Sequence, residues 1–144
     1  MKSDSRLVLR LGDAVLGALL LYAAIMKGRS PQAAELGVDR LIGGHGIGKW
    51  AVLAVIVVEC VVGVALLVRG GFTPRFVALL MLVGFTAYLA ALKWGAPGTA
   101  CGCTGSTGVP GTLEFSRNTC LIVGASALVV ASARHTDQPE GVQS

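Results

Sequence analysis

Charged residues are scarce in this chain of 144 residues. Lysine, arginine, aspartate and glutamate together make up 14% of it, whereas a soluble domain has roughly a quarter. Aromatic residues reach only 6%, and there are two histidines and four cysteines. The sequence has no Ser-His-Asp arrangement, no paired catalytic carboxylates and no HExxH motif, so we do not expect a hydrolase.

What the chain has instead is apolar residues, which come in blocks rather than in amphipathic stripes. It is 53% hydrophobic with a mean hydropathy of +0.71, and four blocks can supply the roughly 20 helical residues that cross a bilayer. We predict an all-α, integral membrane four-helix bundle, with helices over about 7–27, 50–68, 75–94 and 114–133. The bundle is expected to form one domain over 1–134, followed by a polar disordered tail over 135–144.

The net charge of +4 does not indicate a nucleic-acid partner. Its basic residues stand singly at the edges of apolar blocks, where they meet lipid headgroups, so the expected partner is the lipid bilayer. An even number of spans puts both termini on one face of the membrane, and the first and third loops on the other. Because six basic residues fall on each face, the positive-inside rule leaves the orientation open.

The first loop, over 27–49, contains a short amphipathic segment that we expect to lie on the membrane surface. Ser30 is predicted to cap it, with Pro31 at its first helical position. The turn over 69–71 is so short that the second and third membrane helices are expected to be antiparallel neighbours.

The end of the first loop nearly spells a phosphate-binding loop. Gly43, Gly48 and Lys49 have the required spacing, but Trp50 stands where a Ser or Thr must bind Mg²⁺, and no strand precedes the stretch. We therefore expect no nucleotide here, and interpret Lys49 and Trp50 as residues of the membrane interface.

The third loop contains Cys101-Gly102-Cys103. Two cysteines one residue apart can close a small, constrained disulfide ring, and strained disulfides are the labile or catalytic ones. Gly102 lowers the steric cost of that turn. Cys101 and Cys103 would alternatively suit a soft metal ion, although a closed site needs further ligands, and two inert thiols are the third interpretation. We favour redox chemistry.

Two further residues are candidates for a part in that chemistry. Cys120, near the start of the last helix, would serve as a resolving cysteine or as a small buried hydrophobe. Glu59 lies inside the second span, where an ionisable residue is costly. It would act as a proton relay or as a structural residue, either neutral or paired across the bundle. Gly63 would let a neighbouring helix approach closely, and Cys60 is expected to pack.

Arg10 and Asp13 are the charges that interrupt the first apolar block. They stand three residues apart on one helical face. Such neighbours on a helix attract each other, so we expect these two side chains to pair.

Four features together resemble one family of membrane proteins. They are Ala-Ala-Ile-Met-Lys27 at the end of the first helix, Val-Val-Glu59-Cys-Val-Val-Gly63 in the second, Cys101-Gly-Cys103-Thr-Gly105 before the last, and Arg117-Asn118 at its start. Over roughly 7–133 the chain resembles the MauE branch of the DoxX-like membrane proteins, the methylamine utilisation MauE family. Thr104 stands where that family commonly has an aromatic residue.

The resemblance implies a multi-pass protein of the bacterial cytoplasmic (inner) membrane associated with thiol redox chemistry. In that picture Cys101 and Cys103 exchange disulfides on the extracytoplasmic side with a thioredoxin-like or disulfide-containing protein, and both termini are cytoplasmic. The sequence identifies no cofactor. A quinone in the bundle is a candidate by analogy with the architecture of other four-helix thiol oxidases.

We therefore expect a thiol-disulfide redox protein that supports disulfide formation or maturation of an extracytoplasmic partner. Two alternatives stay open. One is a non-catalytic membrane assembly factor, or a soft-metal delivery protein that uses the same thiols. The other is a small-solute carrier with Glu59 as its coupling site.

Overall fold

The computed structural model describes residues 2–44, 46–99 and 111–136, with side chains over 7–44, 46–99 and 111–133. Regular structure in these ranges is entirely helical: α1 (Lys2–Arg29), α2 (Gln32–Ile42), α3 (Ile47–Val68), α4 (Phe72–Gly95) and α5 (Thr112–Thr136). Residues 137–144, most of the predicted disordered tail, lie outside the described ranges.

Four stretches are long and apolar enough to cross a membrane: Leu7–Arg29, Ile47–Val68, Phe72–Gly95 and Thr112–Ala133. The short α2 lies between the first two of them in the chain. The predicted all-α membrane bundle, with four spanning helices and a short helical segment in the first loop, is confirmed.

The membrane helices alternate in direction and form two closely packed pairs. α1 packs most extensively against α3, and α4 against α5, while α2 lies on α3 and touches α4. The helices α3 and α4, which the short turn joins, share fewer contacts than either pair. We call the end where α1 and α4 finish the loop end, because the cysteine segment starts there. The opposite end, with the turn over 69–71, is the turn end.

Glycines allow α1 and α3 to approach each other closely. A Cβ atom on Gly17 would lie 2.8 Å from the backbone oxygen of Gly63, and one on Gly63 would lie 3.1 Å from the oxygen of Gly17. Small residues are the usual means of close helix packing in membranes. The close approach predicted at Gly63 is confirmed, and Gly17 is its counterpart.

A buried ion pair joins three helices near the turn end. Both carboxylate oxygens of Asp13 accept hydrogen bonds from Arg75 of α4, at 2.7 Å each from its Nε and Nη2. The Nη1 atom of Arg75 donates to the Ser132 hydroxyl of α5. The predicted pairing of Arg10 with Asp13 is therefore wrong. Asp13 is only 1% exposed, and Arg75 offers it a bidentate fork across the bundle, whereas Arg10 lies exposed on the outside of α1.

The start of α2 differs from the prediction. Pro31 is the residue before the first helical position, and no side chain caps the helix. The amide of Ser30 instead donates to the carbonyl of Met26 at 3.2 Å, which extends the last turn of α1. Ser30 thus belongs to the end of α1 and not to the start of α2, because only two residues separate the two helices.

We expect Asp13→Leu to lower the free energy of unfolding by about 3–5 kcal/mol, because it leaves the Arg75 charge buried without a partner. The matched control is Arg10→Gln, which alters an exposed charge and should change stability by no more than about 0.5 kcal/mol. Reversible unfolding in detergent measures both. Equal losses in the two variants would restore Arg10 as the partner of Asp13.

A second prediction concerns the contact between α1 and α3. Gly17→Ala places a methyl group against the backbone of α3 and should cost about 1–3 kcal/mol through overpacking. Gly84→Ala is the control, since a Cβ there meets no atom within 4 Å. That control should leave stability unchanged or raise it slightly through helix propensity. Reversible unfolding in detergent measures both variants. Equal effects of Gly17→Ala and Gly84→Ala on stability would contradict a tight glycine contact between α1 and α3.

Candidate functional site

The two cysteines that the sequence singles out, Cys101 and Cys103, lie outside the described residues. The structure does describe both flanks of their segment, up to Thr99 and from Gly111 onward. Each flank is held by side-chain contacts at the loop end of the bundle. The described residues therefore fix where the cysteine segment leaves the bundle and where it returns.

The first flank is tied to α2. The hydroxyl of Thr99 accepts a hydrogen bond from Nη1 of Arg40 at 2.9 Å, and Thr99 is only 4% exposed. Its amide donates to the carbonyl of Ala96 at 3.2 Å, and the amide of Ala96 donates to that of Leu92 at 3.1 Å. After α4 ends, the chain thus turns back onto α2 before it enters the cysteine segment.

The second flank is held by the first turn of α5. The amide of Gly111 donates to the carboxylate of Glu114 at 2.8 Å, which satisfies a backbone donor at the helix start. Phe115 packs into an apolar cluster with buried leucines of α4 and with Leu41 of α2. The ammonium of Lys93 lies 5.3 Å from the centre of the Phe115 ring. Helices α2, α4 and α5 therefore meet beneath the ends of the cysteine segment.

The glycine-rich stretch before α3 has a packing role in this structure. The carboxylate of Asp39 accepts hydrogen bonds from the amides of Gly48, at 2.8 Å, and Gly46, at 3.3 Å. Amides at a helix N-terminus are the ones that a phosphate-binding loop offers to its ligand, and here Asp39 of α2 occupies them. A Cβ atom on Gly48 would collide with the backbone oxygen of Glu35. Gly48 is thus explained by close packing of α2 on α3, whereas Gly43 ends α2 in the left-handed conformation.

Glu59 forms a buried ion pair with Lys27 across the bundle. Nζ of Lys27 lies 2.5 Å from Oε1 of Glu59, and the two side chains are 6% and 0% exposed. The same ammonium lies 4.7 Å from the centre of the Phe85 ring of α4, a favourable cation–π distance. Of the two expectations for Glu59, neutral or paired, the structure has the paired one. The second carboxylate oxygen, Oε2, is buried and has no hydrogen-bond partner within the described part of the chain.

This ion pair borders a cavity of about 130 Å³ between α1, α4 and α5. Most of the walls are apolar, and polar groups enter from Lys27, Glu59, Arg117 and Asn118. Asn118 is 6% exposed, and its side-chain amide makes a long hydrogen bond, 3.5 Å, to the hydroxyl of Thr86.

The two described cysteines lie on different outer faces of the bundle. Cys120 is exposed on α5, about 12 Å along that helix from its first residue. It lines an apolar groove between α1 and α5. Cys60 is half-buried on α3 beside Val61 and Val64.

Sequence reasoning did not identify Lys27, Arg40 or Thr99 as partners in these contacts. A lysine at the end of an apolar helix has the usual features of a residue that reaches out to lipid headgroups. Arg40 and Thr99 stand 59 positions apart, so no local spacing relates them. For Lys27, the one signal in the sequence was its place in the motifs that resemble a known family, which also contain Glu59, Arg117 and Asn118.

The sequence model of a family described as methylamine utilisation protein MauE matches residues 5–131. The matched range contains both buried ion pairs, the cavity residues and the whole cysteine segment. No curated protein and no solved structure matches the chain.

We expect Thr99→Val to loosen the first flank of the cysteine segment. The lost hydrogen bond to Arg40 is worth about 1 kcal/mol, which corresponds to about a fivefold faster hydrogen exchange at the amides of Ala96 and Thr99. Thr119→Val is the matched control, because the exposed Thr119 hydroxyl bonds the carbonyl of Phe115 in its own helix. Hydrogen exchange with mass spectrometry measures both, and unchanged exchange in Thr99→Val would show that α2 does not hold this flank.

Proposed function

Because the chain belongs to the methylamine utilisation protein MauE family, we propose that it is a membrane thiol-disulfide exchange protein. It supports disulfide formation in an extracytoplasmic partner. The observation that carries the proposal is the Cys101-Gly102-Cys103 motif, in a segment whose two flanks are both anchored at one end of a membrane bundle. Both described flanks, Thr99 and Gly111, are held at the same end of the bundle.

The proposed reaction is a two-step exchange. A thiolate of the partner attacks Cys101 of the Cys101–Cys103 disulfide, so that this bond breaks, a mixed disulfide forms and Cys103 leaves as a thiolate. The second thiolate of the partner then attacks the mixed disulfide, which forms the partner's disulfide and releases Cys101. In sum, two electrons and two protons pass from the partner's dithiol to the cysteine pair.

In this proposal Cys101 and Cys103 are sufficient for the exchange. Cys120 lines an apolar groove between α1 and α5, and no step of the exchange requires it. Glu59 acts mainly as the counter-charge of Lys27. The partner is a thioredoxin-like or disulfide-containing protein. The proposal places the cysteine segment outside the bacterial cytoplasmic membrane and both termini in the cytoplasm.

The direct test is to trap the mixed disulfide. In cells that express Cys103→Ser, the Cys101 thiolate can attack the disulfide of the oxidised partner, which is the reverse of the proposed exchange. The mixed disulfide should then accumulate, because Cys103, the thiol that would complete the reverse exchange, is missing. Non-reducing electrophoresis should show one additional band that reductant abolishes. Cys60→Ser is the matched control and should give no such band. Absence of the adduct in both Cys103→Ser and Cys101→Ser would contradict the exchange.

Thiol labelling in intact cells tests the proposed location and redox state. In Cys60→Ser/Cys120→Ser protein, a membrane-impermeant maleimide should label Cys101 and Cys103 only after treatment with an impermeant reductant. Labelling that appears only after lysis would put the segment in the cytoplasm and would contradict a role in extracytoplasmic disulfide formation.

A further inference from the structure

Glu59, which lines the cavity, has a polar atom that the described residues leave unsatisfied. Oε2 of Glu59 is buried and has no hydrogen-bond donor within the described part of the chain. A buried acceptor without a donor costs about 1–3 kcal/mol, and more if it is charged. An occupant that donates a hydrogen bond from a hydroxyl group would remove this cost.

The charges around the cavity favour a neutral occupant. The carboxylate of Glu59 and the ammonium of Lys27 compensate each other at 2.5 Å. The remaining charge of the lining is on Arg117, which is exposed, so the buried part of the cavity offers no net charge to an ion. Arg117 and the side-chain amide of Asn118 add hydrogen-bond donors to the lining. The site therefore offers donors to a carbonyl oxygen and an acceptor to a hydroxyl group.

The size of the cavity limits the occupant to about one ring. Its volume is about 130 Å³, and an apolar cavity of about 150 Å³ in another protein binds benzene. Apart from the polar groups, the walls are leucines, Ala23 and the aromatic rings of Tyr22 and Phe85. These surfaces suit a flat six-membered ring with polar substituents.

An apolar groove continues from the cavity along the outside of the bundle. Leu16, Leu19 and Leu121 line both spaces, and the groove runs between α1 and α5 past Cys120 with a volume of about 400 Å³. In a bilayer the groove faces lipid. A water-soluble solute would not fill the apolar groove, whereas a ring that carries a long hydrocarbon tail would fill both the cavity and the groove.

We propose that the cavity and groove bind a membrane quinone, with the ring beside Glu59 and the prenyl tail between α1 and α5. Carbonyl oxygens of the quinone accept hydrogen bonds from Arg117 or Asn118, and a hydroxyl group of the quinol donates to Oε2 of Glu59. The role of this ligand, though not its binding, rests on the proposed thiol exchange. Re-forming the Cys101–Cys103 disulfide removes two electrons and two protons, and these convert one quinone to one quinol.

Protection of Cys120 from alkylation tests the proposal. The protein carries Cys60→Ser, Cys101→Ser and Cys103→Ser, so that Cys120 is its one thiol, and N-ethylmaleimide labels it in detergent. Decylubiquinone is the probe, because its ring has no free carbon to which a thiol could add. At about ten times its Kd, the quinone should slow the labelling of Cys120 about tenfold by mass action.

The matched control retains Cys60 as the one thiol, on the outer face of α3 away from the groove. Its labelling should not change with the quinone. An unchanged rate at Cys120, equal slowing at both cysteines, or equal protection of Cys120 by a phosphatidylglycerol at the same concentration would each overturn the proposal. The last result would assign the groove to lipid.

A variant of the cavity tests whether the quinone ring itself binds there. Ala23 lines the cavity and does not line the groove, so Ala23→Leu should abolish protection of Cys120 by filling the space for the ring. The unfolding temperature of this variant is measured in parallel. Full protection in a folded Ala23→Leu protein would overturn the placement of the ring. Because Cys101 and Cys103 are absent throughout, these outcomes are independent of whether thiol exchange occurs.

Discussion

The arrangement of this bundle depends on two charges that α1 carries inside the membrane. Asp13 pairs with Arg75 of α4, and Lys27 pairs with Glu59 of α3. A charge in hydrocarbon is costly unless an opposite charge and further hydrogen bonds compensate it. Any arrangement that separated α1 from α3 or α4 would leave one of these charges unpaired. The two pairs therefore specify the neighbours of α1 and its rotation, while the glycine contact with α3 sets the distance.

Helix α1 also connects the packing of the bundle with the proposed thiol exchange. Lys27 belongs to the half of α1 that reaches the loop end, where Arg40 holds Thr99 before the cysteine segment begins. The cavity at Glu59 is lined by the residues that open α5, which follow that segment in the chain. The proposed thiol exchange and a quinone in the cavity would complement each other, because disulfide formation needs an acceptor of two electrons and two protons.

The four spans could be predicted because hydropathy is a local property of about 20 consecutive residues. The pairing of Arg10 with Asp13 was wrong because a spacing of three residues on one helix says nothing about competitors on other helices. Arg75 is such a competitor, and its fork also satisfies Ser132 of α5. The cap expected from Ser30 failed for a related reason, since the end of α1 uses the same residue.

By itself, the sequence determined that the chain is a membrane bundle of four helices, and it identified Cys101 and Cys103 as the candidate thiol pair. Each conclusion follows from residues that are neighbours in the chain. The tertiary structure decided which charges pair, that Asp39 takes the amides before α3, and that Glu59 borders a cavity. Those outcomes depend on contacts between residues 32 to 62 positions apart or on the packing of separate helices. A buried charge then pairs with whichever of the nearby side chains compensates it best.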